Sequence, residues 1–380
     1  MTLRRVRIKL GKFHLTNYPN DRNPQMRKMV AVSAAASASA LLLVAGCSGT
    51  TGGTNPGPVS ADPKTAVADA FTQTGQGKDS TVTFKFDTTE ADVQKVFDAM
   101  NSGSSSTPNP STQQTMKSVA KIIPLTTFKV ATHSNGDSLN AEKDPNKIDA
   151  NVNIAVDGKP IEFTWLASRA FLRADVQGLG QATGLFTIDQ VKMYTADSAR
   201  TMPWITPLVE GKWVEADSAS VKQMIQKAQA SAAPSASPSI DPKKAQAAIL
   251  DNSEVTKVSD GTYKVVTDAK KVIPALAAID PNDSFTDQKA QDALKQIKDG
   301  ANLDSTVTIA NGKVTKIDVD LADVLRTWPQ STDKTAQALA QADFKLNGVA
   351  EINEDNPNIT APQPAATIPA KDLQGLTQGR

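Results

Sequence analysis

Apolar and polar residues alternate with a period of two along much of this chain. Val82, Phe84 and Phe86 alternate with Thr81, Thr83, Lys85 and Asp87. The clearest case runs from Lys147 to Asp157, where Ile148, Ala150, Val152, Ile154 and Val156 share one side. Lys147, Asp149, Asn151, Asn153 and Asp157 take the other. After Asp157-Gly158-Lys159-Pro160 the pattern resumes at Ile161, Phe163 and Trp165, which predicts a β-hairpin. Asn311-Gly312 is a second turn signature and predicts a hairpin over 304–321. Further strands are expected over Ala170–Asp175, Asn252–Val258, Thr262–Val266 and Phe344–Ile352. Strands with one apolar and one polar side belong to an antiparallel sheet that is wet on one face.

Helical spacing appears between the strands. Stripes at Val93/Phe97/Met100, Met116/Val119/Ala120/Ile123, Val221/Met224/Ile225/Ala228, Val272/Ile273/Leu276/Ile279 and Leu294/Ile297 are read as core-facing sides. Strands and helices together give an α+β layer architecture. Two polar patches, Asn101–Pro110 and Ser231–Ser239, are read as surface loops or domain boundaries, and the Pro/Ala/Gln-rich end after Ala361 as frayed. Asp79-Ser-Thr-Val-Thr83 recurs as Asp304-Ser-Thr-Val-Thr308, each opening an expected strand.

The start of the chain differs in kind from the rest. Arg27 and Lys28 precede an uncharged, mostly apolar run, Val30 to Ala45, followed by Gly46-Cys47-Ser48-Gly49. Positive, apolar, then small is the layout of a secretory signal, and the Ala/Ser-rich run is short for a permanent membrane span. Leu43-Val44-Ala45-Gly46-Cys47 resembles a bacterial lipobox. That resemblance implies cleavage between Gly46 and Cys47 and lipidation of Cys47, with acyl chains holding the protein on the outer face of the cell membrane. Residues 1–46 are therefore a leader, with the true start expected at Met26, and 47–63 a lipidated cysteine and flexible Gly/Thr/Pro tether.

The leader also corrects the charge. The whole chain carries 41 Lys+Arg against 40 Asp+Glu, but residues 1–46 hold eight of the basic groups and one of the acidic. The remainder has 33 against 39, a net of −6. A mildly acidic, mixed surface argues against nucleic acid as a partner. One cysteine excludes a disulfide framework and a cysteine-based zinc site. Of two histidines, only His133 lies beyond the leader, in Ala131-Thr-His-Ser-Asn-Gly, read as a polar strand end or turn. No Gly-x-Ser-x-Gly elbow accompanies it. The glycines of Gly178-Leu-Gly180-Gln-Ala-Thr-Gly184 lack nucleotide-loop spacing and are expected to shape a short helix. The acidic clusters Asp280/Asp283/Asp287 and Glu351/Glu354/Asp355 lack the layout of a calcium loop and are read as solvated surface. No catalytic residue, metal ligand or cofactor is expected, and the chain is read as a non-enzyme. The tryptophans are the remaining candidates. Trp204 and Trp213, with Met202, suggest the apolar mouth of a cleft.

Taken with the lipobox and tether, three phrases resemble the LppX/LprG-type lipoproteins of high-GC Gram-positive bacteria. They are Phe171-Leu-Arg-Ala-Asp-Val-Gln-Gly-Leu179, Gly211-Lys-Trp213-Val and Gly312–Leu321, and the closing Phe344 to Pro362 is similar too. The resemblance implies a LolA-like fold over 64–362: a single α+β domain whose curved antiparallel sheet forms a half-barrel with helices in its concavity. The segment 363–380 is then a disordered tail. It also implies a hydrophobic ligand, a lipid or glycolipid, with Val152, Ile154, Phe163, Trp165, Met202, Trp204 and Trp213 as candidate contacts. The expected partners are that ligand and the membrane, and the chain is expected to be monomeric. The alternative is a ligand-free envelope protein with an interaction or regulatory role.

Overall fold

The computed structural model describes residues 62–102, 110–139, 141–142, 144–167, 169–219, 221, 242–279, 294–295, 297–327 and 334–377. The leader with Gly46 and Cys47, most of the tether, the stripe residues Met224, Ile225 and Ala228, and Asp280/Asp283/Asp287 lie outside them.

Twelve strands alternate with helices along the described chain. In order they are β1 (Asp79–Thr88), β2 (Thr126–Ser134), β3 (Ile148–Val156), β4 (Lys159–Leu166), β5 (Arg169–Ala174), β6 (Val214–Ala216), β7 (Ser253–Ser259), β8 (Thr262–Asp268), β9 (Asn302–Ala310), β10 (Lys313–Asp320), β11 (Leu346–Asn353) and β12 (Ala366–Ile368). They form one sheet in the order β12-β6-β5-β4-β3-β2-β1-β11-β10-β9-β8-β7. Every neighbouring pair is antiparallel except β12 with β6, and the sheet is not closed. Eleven helices accompany it among the described residues, which makes the fold α+β.

Both expected hairpins form. Asp157 and Gly158 link β3 to β4 with φ of 51° and 71°, and Asn311 and Gly312 link β9 to β10 with φ of 52° and 73°. Positive φ at both central residues is what a two-residue hairpin turn needs, and Asp/Asn-Gly tolerates it best. The β7–β8 turn depends on glycine more strictly. Gly261 has φ of 71°, and a Cβ there would come within 2.6 Å of the Ile309 carbonyl oxygen. Gly261→Ala is expected to lower stability by about 2 kcal/mol, read by urea denaturation, because backbone strain and a clash with a backbone atom add.

One face of the sheet is largely apolar, and helices close it over β7 to β11. Helices α1 (Pro63–Gln73), α7 (Pro242–Asp251) and α8 (Ala269–Ala277) pack there. Val67, Phe71 and Ile249 from the helices meet Val265, Val307, Val314 and Ile317 from the strands, all nearly solvent-free. Each such side chain contributes about 1.5–3 kcal/mol by leaving water. Asp62 caps α1 by accepting from the Thr65 amide at 2.8 Å, so the helix begins where the tether was expected to end. At the other end of α1, the Thr74 hydroxyl accepts from the Val314 amide at 2.9 Å and fixes the helix to β10.

Two connections carry helix pairs at one end of the sheet. α2 (Glu90–Ser102) and α3 (Pro110–Ile122) join β1 to β2, while α9 (Leu321–Thr327) and α10 (Lys334–Gln341) join β10 to β11. Thr88 pairs with Leu346 and Asp320 with Asn347, so both connections leave the same end. There α2 packs on α10 through Val96, Ala99, Leu339 and Phe344. Val119 does not join a core as its stripe suggested. It is exposed, while Ala120 of the same helix is fully buried.

Of the expected disordered tail 363–380, residues 363–377 are described and are not a featureless end. Residues 366–368 form β12, parallel to β6, and α11 (Ala370–Thr377) follows. The Ala365 amide donates to the Trp213 carbonyl at 2.8 Å, and buried Ile368 packs with Trp204. An apolar anchor and sheet pairing outweigh the Pro- and Gln-rich composition. Among the described residues no helix is long and apolar enough to cross a membrane.

Candidate functional site

Strand register carries the apolar face across the other half of the sheet in continuous rows. Val82, Val130, Val152, Phe163, Leu172 and Val214 stand opposite one another from β1 to β6. Phe84, Phe128, Ile154, Ile161 and Ala174 form a second row, and Thr132, Ala150, Trp165, Ala170 and Ala216 a third. Across β2 to β5 the three rows span about 14 by 14 Å, at ~4.8 Å between strands and ~3.4 Å per residue; Val82 and Phe84 of β1 pack against the closed core. Lys159, at the turn end of β4, is the one charged residue these strands place on that face.

Exposure separates the two halves. Val307 and Ile317, under the helices, are each 1% exposed. On the same face, Phe128 is 38% exposed, Val130 41%, Ile161 40% and Phe163 40%. The apolar surface is therefore closed into a core at one end of the sheet and left open at the other. The opposite face carries the charged pairs, with Phe171, Thr164 and Ala131 buried among them. Arg173 donates to Glu162 through Nε at 2.7 Å, Arg169 bonds Glu215 at 2.7 Å, and Lys85 bonds Glu351 at 2.9 Å. Exposed pairs of this kind contribute at most about 1 kcal/mol each.

Helix α4 (Val176–Thr183) borders the open rows, touching β3, β4 and α3. Asp175 caps its start by accepting from the Gly178 amide at 2.8 Å, and Gly184 ends it in the left-handed region at φ 68°. Gly180 leaves room for the Phe186 carbonyl oxygen, which would lie 2.6 Å from a Cβ. The glycines thus shape a short helix, as their spacing predicted. The far end of the first row is closed by Trp204, which packs with Val214, Leu172 and Met202 and donates from Nε1 to Asp372 of α11 at 2.9 Å.

Of the residues singled out from sequence, Val152, Ile154, Phe163 and Trp165 share the open face, with Phe163 and Trp165 ring centroids 6.5 Å apart. Met202 and Trp204 adjoin it through Leu172 and Val214. Trp213 does not. It precedes Val214, so strand alternation sends it to the polar face, where the Arg173 guanidinium lies 5.1 Å over its ring. Strand β2 was absent from the sequence reading, yet it supplies Phe128 and Val130 to the middle of the face. Its signal was the short alternation Phe128, Val130, Thr132 against Lys129 and His133. His133 is the penultimate residue of that strand, with Nδ1 2.7 Å from the Asp79 carboxylate, tying β2 to β1. Glu354, read as solvated, instead accepts from the Gly75 amide at 2.6 Å and pairs with Lys313.

Two clefts of about 310 and 570 Å³ flank α9, away from the open rows. Asp92, Lys95, Arg326, Asp343 and Lys345 line the first, and Lys298, Asp299, Asp323 and Arg326 the second. Their charges largely satisfy one another: Lys95 bonds Asp92 at 3.1 Å and the Asp343 carbonyl at 2.7 Å. Asp323 is the exception. Burial pushes its carboxyl above the usual carboxylate range, and the charges of Asp320 and Asp304 push it further. Ionised Asp323 therefore opposes folding at neutral pH, and that cost is relieved as pH falls through its raised value. Asp323→Asn is expected to raise the melting temperature at pH 7, with the gain disappearing in acid. Among the described residues, no group of three or more His, Cys, Asp or Glu is placed to hold a metal ion.

Comparisons of the chain with models of known protein families, with curated proteins and with solved structures find no match.

Proposed function

We propose that this chain is a membrane-anchored extracytoplasmic lipoprotein that binds or carries a hydrophobic, lipid-like ligand on the open apolar face of β2 to β5, and that it is not an enzyme. The observation that carries the reading is the contrast along one face: the same kind of apolar row is nearly solvent-free over β9 and β10 and about 40% exposed over β2 and β4. A footprint of about 200 Å² corresponds to roughly 5 kcal/mol of gross apolar burial at ~25 cal/mol/Å², before the cost of ordering a ligand. An apolar surface with one charged residue at its margin suits acyl chains. Phe163, Trp165, Val152 and Ile154 would contact them, joined by Phe128, Val130 and Ile161. In this reading the unclosed sheet curves as in LolA-like carriers, with its helices on the concave side. The leader and Leu43–Cys47 support export and lipidation at Cys47.

Because these rows are open and not enclosed, they also suit a protein partner in the envelope, and a ligand-free interaction protein is the second reading. Native mass spectrometry separates the two. Residues 48–380, purified without detergent from an envelope-containing actinobacterial host, are expected to carry a mass excess that denaturation removes, with lipid in the organic extract. A bare polypeptide mass would contradict carriage and favour the partner.

A further inference from the structure

Exposed apolar side chains are not scattered over this molecule. Among the described residues nine large apolar side chains are exposed, and eight of them fall on one path. Phe128, Val130, Ile161 and Phe163 lie on the open sheet face, Val119 on α3, and Leu185, Met193 and Tyr194 at the corner where α4 gives way to α5 (Ile188–Thr201). The elements are continuous: α4 touches β3 and β4 on one side and α3 and α5 on the other. The ninth, Val258, lies on β7 at the far edge of the sheet.

The corner is built to hold its apolar groups outward. A capping box fixes the start of α5: the Gln190 amide donates to Thr187 Oγ1 at 3.2 Å, and the Gln190 side chain accepts from the Thr187 amide at 2.8 Å. The inward stripe of α5 is Ile188, Val191, Thr195 and Ser198, all half-buried, and no residue of the helix is fully buried. That leaves Met193 65% exposed and Tyr194 77% exposed on its outer side, beside Leu185 at 56%. Charges on the helix balance: Asp189 and Asp197 against Lys192 and Arg200, with Arg200 and Asp197 3.5 Å apart. Such a surface has nothing to attract a charged partner. A flexible thioether, a leucine and a phenol with an apolar body and polar tip match the boundary between headgroups and acyl chains of a bilayer.

We infer that the Leu185–Tyr194 corner is a bilayer-contacting lip through which an acyl chain passes between the membrane and the open sheet face. This rests on the anchored-carrier reading above. Fourteen residues separate Cys47 from Asp62, so the start of α1 stays within about 50 Å of the anchor, at ~3.3–3.6 Å per extended residue. The tether thus keeps the molecule close to a bilayer, and the path of exposed side chains begins at the lip and ends on the sheet.

The single cysteine makes the test direct. With Cys47 lipidated, Met193→Cys and Val258→Cys each introduce one free thiol for an environment-sensitive fluorophore, at two sites of similar exposure. Each labelled protein is reconstituted by its anchor into phosphatidylcholine/phosphatidylglycerol vesicles containing nitroxide-labelled phospholipid. Insertion to the headgroup–acyl boundary predicts about twofold or greater quenching at position 193, little at 258, and no dependence on added salt. No quenching at 193, or equal quenching at both sites, overturns the lip. A change at 193 that follows protein concentration without vesicles overturns it in favour of a second copy of the chain. Leu185→Asp with Met193→Asp is a further check: lipid transfer between donor and acceptor vesicles is expected to fall about tenfold or more while bound ligand per protein is unchanged, given the cost of placing carboxylates among acyl chains. Unchanged transfer also overturns the lip. Mass analysis of the same preparations reports the acyl groups on Cys47 and the bound lipid, so failure of the anchor or of carriage is read separately.

Discussion

Phe163→Asp is expected to strip bound lipid from the protein while leaving its fold in place. Phe163 stands in the middle of the open face, between Val152 and Leu172 on the neighbouring strands, and its ring lies beside Trp165. A carboxylate there would be desolvated by an acyl chain with no cation to receive it, a cost of several kcal/mol that corresponds to well over tenfold in affinity. The ligand-free fold is much less affected, because 40% of Phe163 already faces water. A change of about 1 kcal/mol is the scale for such a strand position. Mass excess per protein and urea denaturation, measured on one preparation, read the two effects together. Phe163→Leu keeps the surface apolar and should keep the lipid.

Phe71→Ala is expected to do the reverse. Phe71 is 1% exposed in α1 and belongs to the core that closes the apolar face over β7 to β11. Removing a buried ring leaves a cavity as well as losing the transfer energy, about 3–5 kcal/mol in comparable cores. Against a typical stability of about 5–15 kcal/mol, that is a large fraction of the whole. The urea midpoint should fall steeply. Lipid should be lost only where the protein itself unfolds, since Phe71 is not on the open rows. The pair of substitutions thus probes one continuous face, closed at one end and open at the other.

Much of the sheet could be read before the structure, because strand alternation and turn chemistry are local. Ile148–Val156 and Lys159–Leu166, joined at Asp157-Gly158, follow from residues within a few positions of one another. Asp-Gly and Asn-Gly fix register, and register then decides which face each side chain takes. The same parity explains the split between Met202 with Trp204 and Trp213. Proximity in sequence suggested one cleft, but Val214 faces the apolar side, which turns its neighbour Trp213 away. Strand β2 is weakly marked because Thr126, Thr132 and Ser134 interrupt its apolar side and leave only Phe128 and Val130 to signal it. Strand β12 was passed over because Pro- and Ala-rich composition speaks for fraying, while its order comes from pairing with β6 and from buried Ile368. Which apolar rows are covered was not legible at all. Phe128 and Val307 look alike in sequence, yet helices that return from distant parts of the chain cover only Val307.

Photo-crosslinking reads directly whether the open rows of β2 to β5 hold the ligand. The protein would be loaded with a fatty acyl probe bearing a diazirine near its chain end, irradiated, digested and mapped. Adducts are expected in the peptides that carry Phe128, Val130, Val152, Ile161 and Phe163, suppressed by unlabelled lipid and lost in Phe163→Asp. Adducts confined to the helices over β7 to β11, or no saturable labelling of these strands, would contradict binding there.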